Sequence, residues 1–336
     1  MGSGAPLIEQ NGDRIMKNIY RLVIVSAMSA LAPAASAAND YPSKPIRVVI
    51  MFPAGGSADI VGRMVTQKVG EMSGLNFVVE NRPGAGGNLA LETVANAAPD
   101  GYTVVFATPG IAINPSLYAK VPYKLSDFKA ISLVGEAPLM LLARPSLGVK
   151  SIDELVTASK KAPDAIRFGS SGNGSSSHLA GEVLRAMTGL QYLHVPYKGG
   201  GAAMTDVIGG QTDITVQPIA ESLAFIRNGR LQGLGQTGRV RSPIAPEIPT
   251  IEEAGVKDYA STTWYMLAAP AKVPDEVVGT LAQRFSEALD QPDLRERLQN
   301  IGINTINDGP KGAGEFLNSE AQRWEKLIKD AKIRLE

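Results

Sequence analysis

The chain has 336 residues and equal numbers of positive and negative side chains, 33 lysines and arginines against 33 aspartates and glutamates. Its length allows two lobes of ordinary domain size, each with an apolar core. Balanced charge without a long basic run argues against a nucleic-acid partner. The chain has no cysteine and two histidines, which excludes disulfides, thiolate metal sites and multi-histidine metal sites. We therefore expect no metal and no cofactor, and most groups used in catalysis are missing.

The first forty residues carry a pattern typical of export. Lys17 and Arg21 precede an apolar run from Leu22 to Ala32, and Ala35-Ser36-Ala37 follows this run. This order of charge, apolar core and small residues is that of a secretory signal peptide. The run is too short for a membrane anchor, because roughly 20 apolar residues are needed to span a bilayer. We predict that residues 1–37 form an N-terminal extension and a signal peptide.

From Tyr41 onward, short apolar runs of β type alternate with helical patterns. The run Ile46–Phe52 is typical of a strand covered on both faces, and a helix capped by Ser57 or Asp59 follows it. The next predicted elements are a strand at Phe77–Glu80, a helix at Asn88–Ala98 and a strand at Tyr102–Ala107. Short connections of this kind imply right-handed crossovers and a mainly parallel sheet.

A second series with the same pattern begins near residue 150. Its predicted elements are a helix at Ser151–Lys160, a strand at Ile166–Phe168, a helix at Ser175–Thr188, a strand at Gln191–Val195, a helix at Ala202–Ile208 and a strand at Asp213–Val216. Gly189 directly follows the second of these helices, where a glycine commonly ends a helix. The two series predict two similar α/β lobes.

Two apolar, β-rich segments lie between the series. Pro138–Ala143 and Thr262–Ala269 are predicted to be strands that cross from one lobe to the other. Two crossings make the first lobe discontinuous, so we predict that it comprises residues 38–140 and 264–336, while the second comprises 141–263. The predicted fold class is α/β, with two lobes, mainly parallel sheets, two crossover strands and a cleft between the lobes.

The C-terminal tail returns to helical patterns, at Pro274–Asp290 and at Lys311–Lys332. The second of these helices has an apolar stripe, which consists of Phe316, Leu317, Trp324, Leu327 and Ile328. We expect this stripe to dock the helix onto the first lobe and to complete it.

Two strand-to-helix loops concentrate glycines and hydroxyls and are the predicted ligand-binding loops. The loop Phe52–Asp59 brings Gly55, Gly56 and Ser57 to a helix N-terminus, where free N–H groups and the helix dipole favour an anion. The loop Gly169–Ser177 repeats this design, and its further donors are the hydroxyls of Ser170, Ser171, Ser175, Ser176 and Ser177. Such loops face the cleft in open α/β sheets, so together they are suited to clamp a small carboxylate. Each loop alone is explained equally well by tight turns and serine helix caps.

The remaining candidates for ligand contact are Asp59, Thr108, His178, Tyr197 and Asp213. Asp59 is also placed to stabilise a helix N-terminus, and Thr108 to cap a turn. Asp213 is also placed to hold the glycine loop 199–201 rather than to contact ligand. His178 lies one turn into the helix that follows the second loop, from which its ring can reach the cleft.

An aromatic ligand would need an apolar lining between the two loops. The aromatic residues available for it are Phe52, Tyr197, Trp264 and Tyr265. Each of them is also explained by packing in the core or between the lobes.

Enzymatic function finds no support in the motifs. The segment Gly169-Ser170-Ser171-Gly172 lacks the alternating glycine and serine spacing of a nucleophile elbow. The glycine runs contain neither a phosphate-loop lysine nor a dinucleotide fingerprint. We therefore predict no catalytic residue and a binding function rather than catalysis.

Six motifs, taken in order along the chain, resemble one known family. They are Tyr41-Pro42-Ser43-Lys44-Pro45-Ile46, the loop Phe52–Asp59, Asn81-Arg82-Pro83-Gly84-Ala85-Gly86-Gly87, Pro99-Asp100-Gly101-Tyr102-Thr103, Val195-Pro196-Tyr197-Lys198-Gly199-Gly200 and Gly210-Gln211-Thr212-Asp213. From Tyr41 to the C-terminus the chain is similar to the periplasmic receptors of tripartite tricarboxylate transporters, also called the Bug family. The resemblance implies a periplasmic solute-binding protein of type II-like fold whose lobes close like a Venus flytrap.

The resemblance also implies how the ligand is held. Carboxylates of the ligand would be bound by backbone amides, hydroxyls and waters rather than by an arginine. The matching pocket positions are Gly55, Gly56, Ser57, Asp59, Ser170, Ser171, Gly172 and Ser175. The chain departs from the common pattern at Ala54 and in having Ser57 with Ala58 ahead of Asp59, so a substrate does not transfer from relatives. The resemblance implies a ligand among di- and tricarboxylates, amino acids, nicotinate-like compounds and aromatic dicarboxylates. Of these we expect a di- or tricarboxylate or an aromatic carboxylate.

Partners follow from the same resemblance. A receptor of this kind delivers its carboxylate to a two-subunit membrane permease. The alternative is that the liganded receptor presents its ligand to a sensor kinase. We expect the receptor to be a monomer with no nucleic-acid partner.

Overall fold

The computed structural model describes residues 1–2, 41–162, 165–330 and 333. The predicted signal peptide lies outside the described residues, and only the first two residues of the predicted N-terminal extension are described. The chain divides into two compact units, Met1–Ser43 and Lys44–Glu336, and all elements below belong to the second. None of the helices in the described part of the chain is long and apolar enough to cross a bilayer.

Strands and helices alternate along most of the second unit. Its described strands are β1 (Ile46–Ile50), β2 (Phe77–Asn81), β3 (Thr103–Ala107), β4 (Phe128–Ala143), β5 (Arg167–Ser170), β6 (Leu193–Pro196), β7 (Ile214–Pro218), β8 (Gln232–Gln236), β9 (Thr262–Pro270) and β10 (Asn304–Asp308). Its described α-helices are α1 (Ser57–Ser73), α2 (Asn88–Ala95), α3 (Gly110–Leu117), α4 (Ile152–Lys161), α5 (Ser176–Thr188), α6 (Gly200–Ile208), α7 (Ile219–Arg227), α8 (Asp275–Leu289), α9 (Pro292–Asn300) and α10 (Pro310–Asp330). The predicted α/β class is therefore confirmed.

The strands form one continuous mixed sheet in the order β2-β1-β3-β9-β4-β7-β5-β6, with β8 and β10 also paired to β4. β1 pairs in parallel with β2 and β3, and β5 pairs in parallel with β6 and β7. The antiparallel pairs all involve β4 or β9. Two parallel groups, one from each series, are thus joined by two antiparallel strands at the centre.

β4 connects the two groups by changing its partner part-way along its length. Up to Pro138 it pairs with β9, whose Thr262 lies opposite Pro138. From Leu139 onward it pairs with β7, whose Pro218 lies opposite Leu139. The predicted lobe boundaries at 140/141 and 263/264 lie close to this exchange, and they remain a prediction.

Helix ends follow local rules at most positions. Gly74 and Gly189 end α1 and α5 in the left-handed conformation, with φ of 72° and 71°, which glycine adopts without strain. The Ser175 hydroxyl caps α5 by accepting a hydrogen bond from the N–H of His178. The prediction that Ser57 or Asp59 caps α1 is wrong, because the N-cap is Gly56 and no side chain caps the helix.

The sequence patterns missed α3, α7, α9, β8 and β10 and predicted only the C-terminal part of β4. α3 contains Pro115, and β8 is the glycine-rich segment QGLGQ, so neither has an apolar period. These elements form because neighbouring strands and helices cover them, not because their own sequences favour them.

The C-terminal helix α10 packs against the apolar cores of both groups. Ala313 and Leu317 join the core built on β1, β3 and β9, whereas Trp324 and Ile328 join the core built on β5, β7 and α5. Near the middle of the helix, the buried Glu320 carboxylate accepts hydrogen bonds from the indole N–H of Trp264 at 3.1 Å and of Trp324 at 3.0 Å. The apolar stripe predicted for this helix therefore packs inward, with Phe316 and Leu327 half-buried, but on both groups rather than on the first alone.

Candidate functional site

One cavity lies where five strand-to-helix connections meet. The connections β1–α1, β3–α3, β5–α5, β6–α6 and β7–α7 all contribute to its lining. Among the residues they contribute are Ser57, Thr108, Ser171, Gly200 and Pro218. The cavity has a volume of about 330 Å³, which is the size of a small-molecule site. We call it the cleft cavity.

The electrostatics of the cleft cavity are dominated by helix N-termini. The N-cap residues of α1, α5, α6 and α7, which are Gly56, Ser175, Gly199 and Pro218, all line it. Each N-terminus presents unpaired N–H groups and about half a positive charge. The charged side chains of this lining are Lys198 and Glu221. Four converging helix N-termini make the cavity suited to an anion.

The first binding loop is held in shape by Asp59. One carboxylate oxygen accepts a hydrogen bond from the N–H of Gly55 at 2.9 Å, and the other accepts from Arg63 at 2.7 Å and Asn81 at 2.9 Å. Asn81 also donates to the carbonyl of Phe52 at 3.0 Å, which ties down the start of the loop. Burial alone would raise the pKa of Asp59, but these hydrogen bonds and the charge of Arg63 lower it. Asp59 therefore stays ionised and fixes the loop.

The second binding loop is held by its own serines. The Ser175 hydroxyl donates to the carbonyl of Gly172 at 2.7 Å, and the Ser171 hydroxyl donates to Gln217 on β7 at 3.1 Å. The Ser176 hydroxyl donates to the Thr263 hydroxyl on β9 at 3.1 Å, so the N-terminus of α5 reaches the central strands. Ser177 also lines the cavity. Its hydroxyl is buried and has no hydrogen-bond partner among the described residues.

Two histidines support this loop from α5 and β6. The N–H of Gly174 donates to Nδ1 of His178 at 3.4 Å, and Nε2 of His194 lies 2.7 Å from the hydroxyl of Ser170. His178 is buried and does not line the cleft cavity. Both rings are positioned to hold the loop rather than to reach a ligand.

Asp213 lies at the start of β7 and joins three strands. Its carboxylate accepts hydrogen bonds from Arg144 at 2.7 Å and from the backbone N–H of Arg167 at 2.7 Å. It therefore ties β7 to β4 and β5, and the alternative that it holds the glycine loop 199–201 is wrong. Burial would raise the pKa of Asp213, but the hydrogen bonds from Arg167 and Arg144 lower it.

A second cavity adjoins the first and shares residues with it, among them Phe52 and Ser171. The glycine loop before α2 lines this neighbouring cavity from one side and the loop after β5 lines it from the other. Across it, the Tyr118 hydroxyl donates to the carbonyl of Asn173 at 3.2 Å. A Cβ on Gly86 would overlap the same carbonyl, so glycine is required there. The first and second series are thus in direct contact beside the cleft.

The family of the chain follows from its sequence. A family model described as the tripartite tricarboxylate transporter family receptor matches residues 61–333. The chain belongs to this family. The matched range runs from within α1 to the end of the described chain, and it includes most of the cavity lining.

Solved structures of similar receptors share the fold. Rpa4515 of R. palustris with adipate is 31% identical, with a TM-score of 0.83 over 88% of this chain and 99% of that one. The periplasmic binding protein BugD is 31% identical, with a TM-score of 0.82 over 88% of this chain and 100% of that one. MatC from Rhodopseudomonas palustris with bound malate is 30% identical, with a TM-score of 0.81 over 86% and 100%. The two-lobed fold of periplasmic binding proteins and the predicted Bug-type receptor family are confirmed.

The residues predicted to contact ligand fall into three groups in the structure. Residues that line the cleft cavity are Gly55, Gly56, Ser57, Thr108, Ser171, Ser175 and Ser176. Gly172 and Tyr197 line the neighbouring cavity. Residues that line neither of these two cavities are Asp59, Ser170, His178 and Asp213. Their hydrogen bonds hold loops and strands in place, as described above.

The aromatic residues predicted to line the site are also divided, between the two cavities and the core. Phe52 lines both cavities, and Tyr197 lines the neighbouring one while its hydroxyl donates to Asp206 at 2.6 Å. Trp264 is fully buried and packs edge-on against Phe316, so it belongs to the core.

Sequence reasoning missed the part of the lining that comes from α6 and α7. The glycine loop 199–201 lies between a predicted strand and a predicted helix, as do the two loops that were predicted to bind ligand. Gln217 and Glu221 lie on either side of Pro218, at the end of a predicted strand, but α7 was not recognised as a helix. The position of Glu221 in the cavity depends on where β7 places α7, which the local sequence does not reveal.

Proposed function

We propose that this receptor captures a small carboxylate in the cleft cavity and delivers it to the two-subunit permease of a tripartite tricarboxylate-type transporter. The observation that carries the proposal is the convergence of four helix N-termini on one cavity. Free backbone N–H groups and helix dipoles stabilise a carboxylate there. The ligands of two similar receptors, adipate and malate, are carboxylates and support the proposal.

Binding involves both predicted loops. A carboxylate between them would accept hydrogen bonds from backbone N–H groups near Gly56 and from the hydroxyl of Ser57. It would also accept one from Ser171 once the hydroxyl of that residue turns from Gln217 to the ligand. A ligand that contacts both loops favours the arrangement in which they face each other.

The cellular role follows from the family. The receptor works in the periplasm, after export by the predicted signal peptide, and it binds its ligand without converting it.

A thermal-shift screen tests the proposal. The purified protein is tested against aliphatic and aromatic mono-, di- and tricarboxylates, amino acids and sugars. A ligand at a hundredfold its Kd adds about 2.7 kcal/mol to the free energy of unfolding, which raises the melting temperature measurably. Stabilisation by at least one carboxylate is expected. Stabilisation by uncharged sugars alone would contradict the carboxylate site.

A further inference from the structure

Glu221 is an acidic side chain within a cavity otherwise suited to anions. It lies in the first turn of α7, directly after β7, and it lines the cleft cavity together with Ser57 and Pro218. The residue is half-buried, and its carboxylate makes no hydrogen bond or ion pair with any part of the chain that the structure describes. A carboxylate shielded from water without a partner is energetically unfavourable.

The four fully buried carboxylates among the described residues all have partners. Asp59 accepts three hydrogen bonds and Asp213 accepts several from two arginines. Glu182 accepts from Tyr192 at 2.9 Å, and Glu320 accepts from two tryptophans. Glu221 differs from these four because the space beside its carboxylate is the ligand cavity.

A role in helix stability does not account for this arrangement. A glutamate in the first turn of a helix interacts favourably with the helix dipole, which explains why Glu221 is tolerated at this position. The same benefit is available to a side chain that points to solvent. Burial raises the pKa of Glu221, so its ionised form is less stable here than it would be in water.

No cationic side chain in the part of the chain that the structure describes pairs with Glu221. Lys198 lines the same cavity from the loop before α6 but forms no ion pair with Glu221 within 4.0 Å. A third cavity shares Ser57, Pro218 and Glu221 with the cleft cavity and is also lined by Tyr265. Burial together with the negative charge of Glu221 raises the pKa of Tyr265 to about 12. The missing partner of Glu221 is therefore expected to come from the ligand.

We propose that Glu221 selects a carboxylate ligand that also carries a hydrogen-bond donor, an ammonium group above all, and that it disfavours a second carboxylate at this position. This inference rests on the proposed carboxylate-receptor function and narrows its ligand class. The ligand carboxylate lies against the helix N-termini, and its amine or hydroxyl donates to the carboxylate of Glu221. A second carboxylate would face Glu221 as a like charge, which costs several kcal/mol in a shielded interface.

The experiment compares carboxylates that differ only in their second polar group. Succinate, glutarate and adipate are paired with γ-aminobutyrate, δ-aminovalerate and ε-aminocaproate. Terephthalate is paired with 4-(aminomethyl)benzoate. Kd is measured at neutral pH by calorimetry for the full chain, for Glu221→Gln and for the control Glu276→Gln, which removes an exposed carboxylate in the first turn of α8.

The expected result is a preference of the wild-type protein for the amine over the diacid by about tenfold or more in the best-binding pair. Glu221→Gln should reduce this preference to about threefold or less, while Glu276→Gln should retain it. A diacid that binds as tightly as its amine, with no effect of Glu221→Gln, would overturn the inference and leave the carboxylate receptor intact. Failure of every carboxylate in the panel to bind would overturn both.

Discussion

His178 on α5 and His194 on β6 stack their rings with centroids 4.3 Å apart, next to the second binding loop. Burial lowers the pKa of His178 to about 3, with further contributions from the charges of His194 and Arg185. Burial and Arg185 lower the pKa of His194 to about 4. Both rings are neutral at neutral pH, and Nδ1 of His178 is free to accept the hydrogen bond from Gly174.

This pair predicts that the protein loses stability as the pH falls below about 6.5. In the unfolded chain both histidines bind protons near pH 6.5, whereas in the folded protein they do so only at lower pH. Protonation therefore favours the unfolded state, and stability is lost from about pH 6.5 down towards the folded values. Two such histidines together lower the free energy of unfolding by about 2.5 kcal/mol between about pH 7.5 and 5.5.

Urea unfolding at several pH values measures this dependence, and His178→Gln separates the two rings. The variant should lose about half of the pH dependence between pH 7.5 and 5.5. Burial raises the pKa of Glu182, 3.8 Å from His178, so this carboxyl acts in the opposite direction as the pH falls, in the variant as in the wild-type protein. An equal slope in the variant and the wild-type protein would show that the histidines are not responsible.

Asp59 is predicted to control the shape of the first binding loop. Asp59→Asn removes the charge and places an amide donor where Gly55, Arg63 and Asn81 already donate. We expect a loss of about 2 kcal/mol in the free energy of unfolding, because hydrogen bonds to charged groups are worth about 1.5–3 kcal/mol. Ligand affinity should also fall, by about tenfold, since the loop amides are no longer held in place.

The matched control for this prediction is Asp275→Asn. Asp275 is an exposed carboxylate at the start of α8 that pairs with Lys129 of β4 at 2.8 Å. It should leave ligand affinity unchanged, because surface pairs contribute little and this one does not contact either loop. Urea unfolding and calorimetry measure both effects. Normal affinity of Asp59→Asn would show that the loop does not depend on this carboxylate.

The sequence predicts those features of the fold and the site that depend on adjacent residues, but not those that depend on contacts between distant segments. Glycine after a strand and serine before a helix are local signals, and they identified the loops that contain Gly55 and Ser175. The roles of Asp213 and His178 depend on partners far away in sequence, Arg144 and His194, so a ligand contact and a structural tie could not be distinguished. Glu221 was missed for the same reason, because the pairing of β7 with β4 positions α7 at the cavity.

Filling the cleft cavity should abolish binding without unfolding the protein. Ser57 and Ser171 line the cavity from opposite loops, and both are only half-buried. Phenylalanine at either position would occupy ligand space while its ring points into the cavity rather than into the core. We expect ligand affinity to fall by about a hundredfold or more in each variant. The control is Ser126→Phe at an exposed position, and the melting temperatures of the two cavity variants should be close to that of the control. Unchanged affinity in both variants would place the ligand elsewhere.

The contact between Tyr118 and Asn173 is predicted to stabilise the ligand-bound arrangement specifically. It joins a helix of the first series to a loop of the second beside the cleft, so it exists only while the two are close together. Tyr118→Phe removes this hydrogen bond, which is worth about 1 kcal/mol, and should weaken ligand binding by about fivefold. Tyr123→Phe is the control, because the Tyr123 hydroxyl donates to Asn88 within the first series at 2.7 Å. The control should lower the free energy of unfolding without changing affinity, since both partners stay together whether or not ligand is bound. Equal affinity losses in the two variants would mean that Tyr118 acts through general stability rather than through closure.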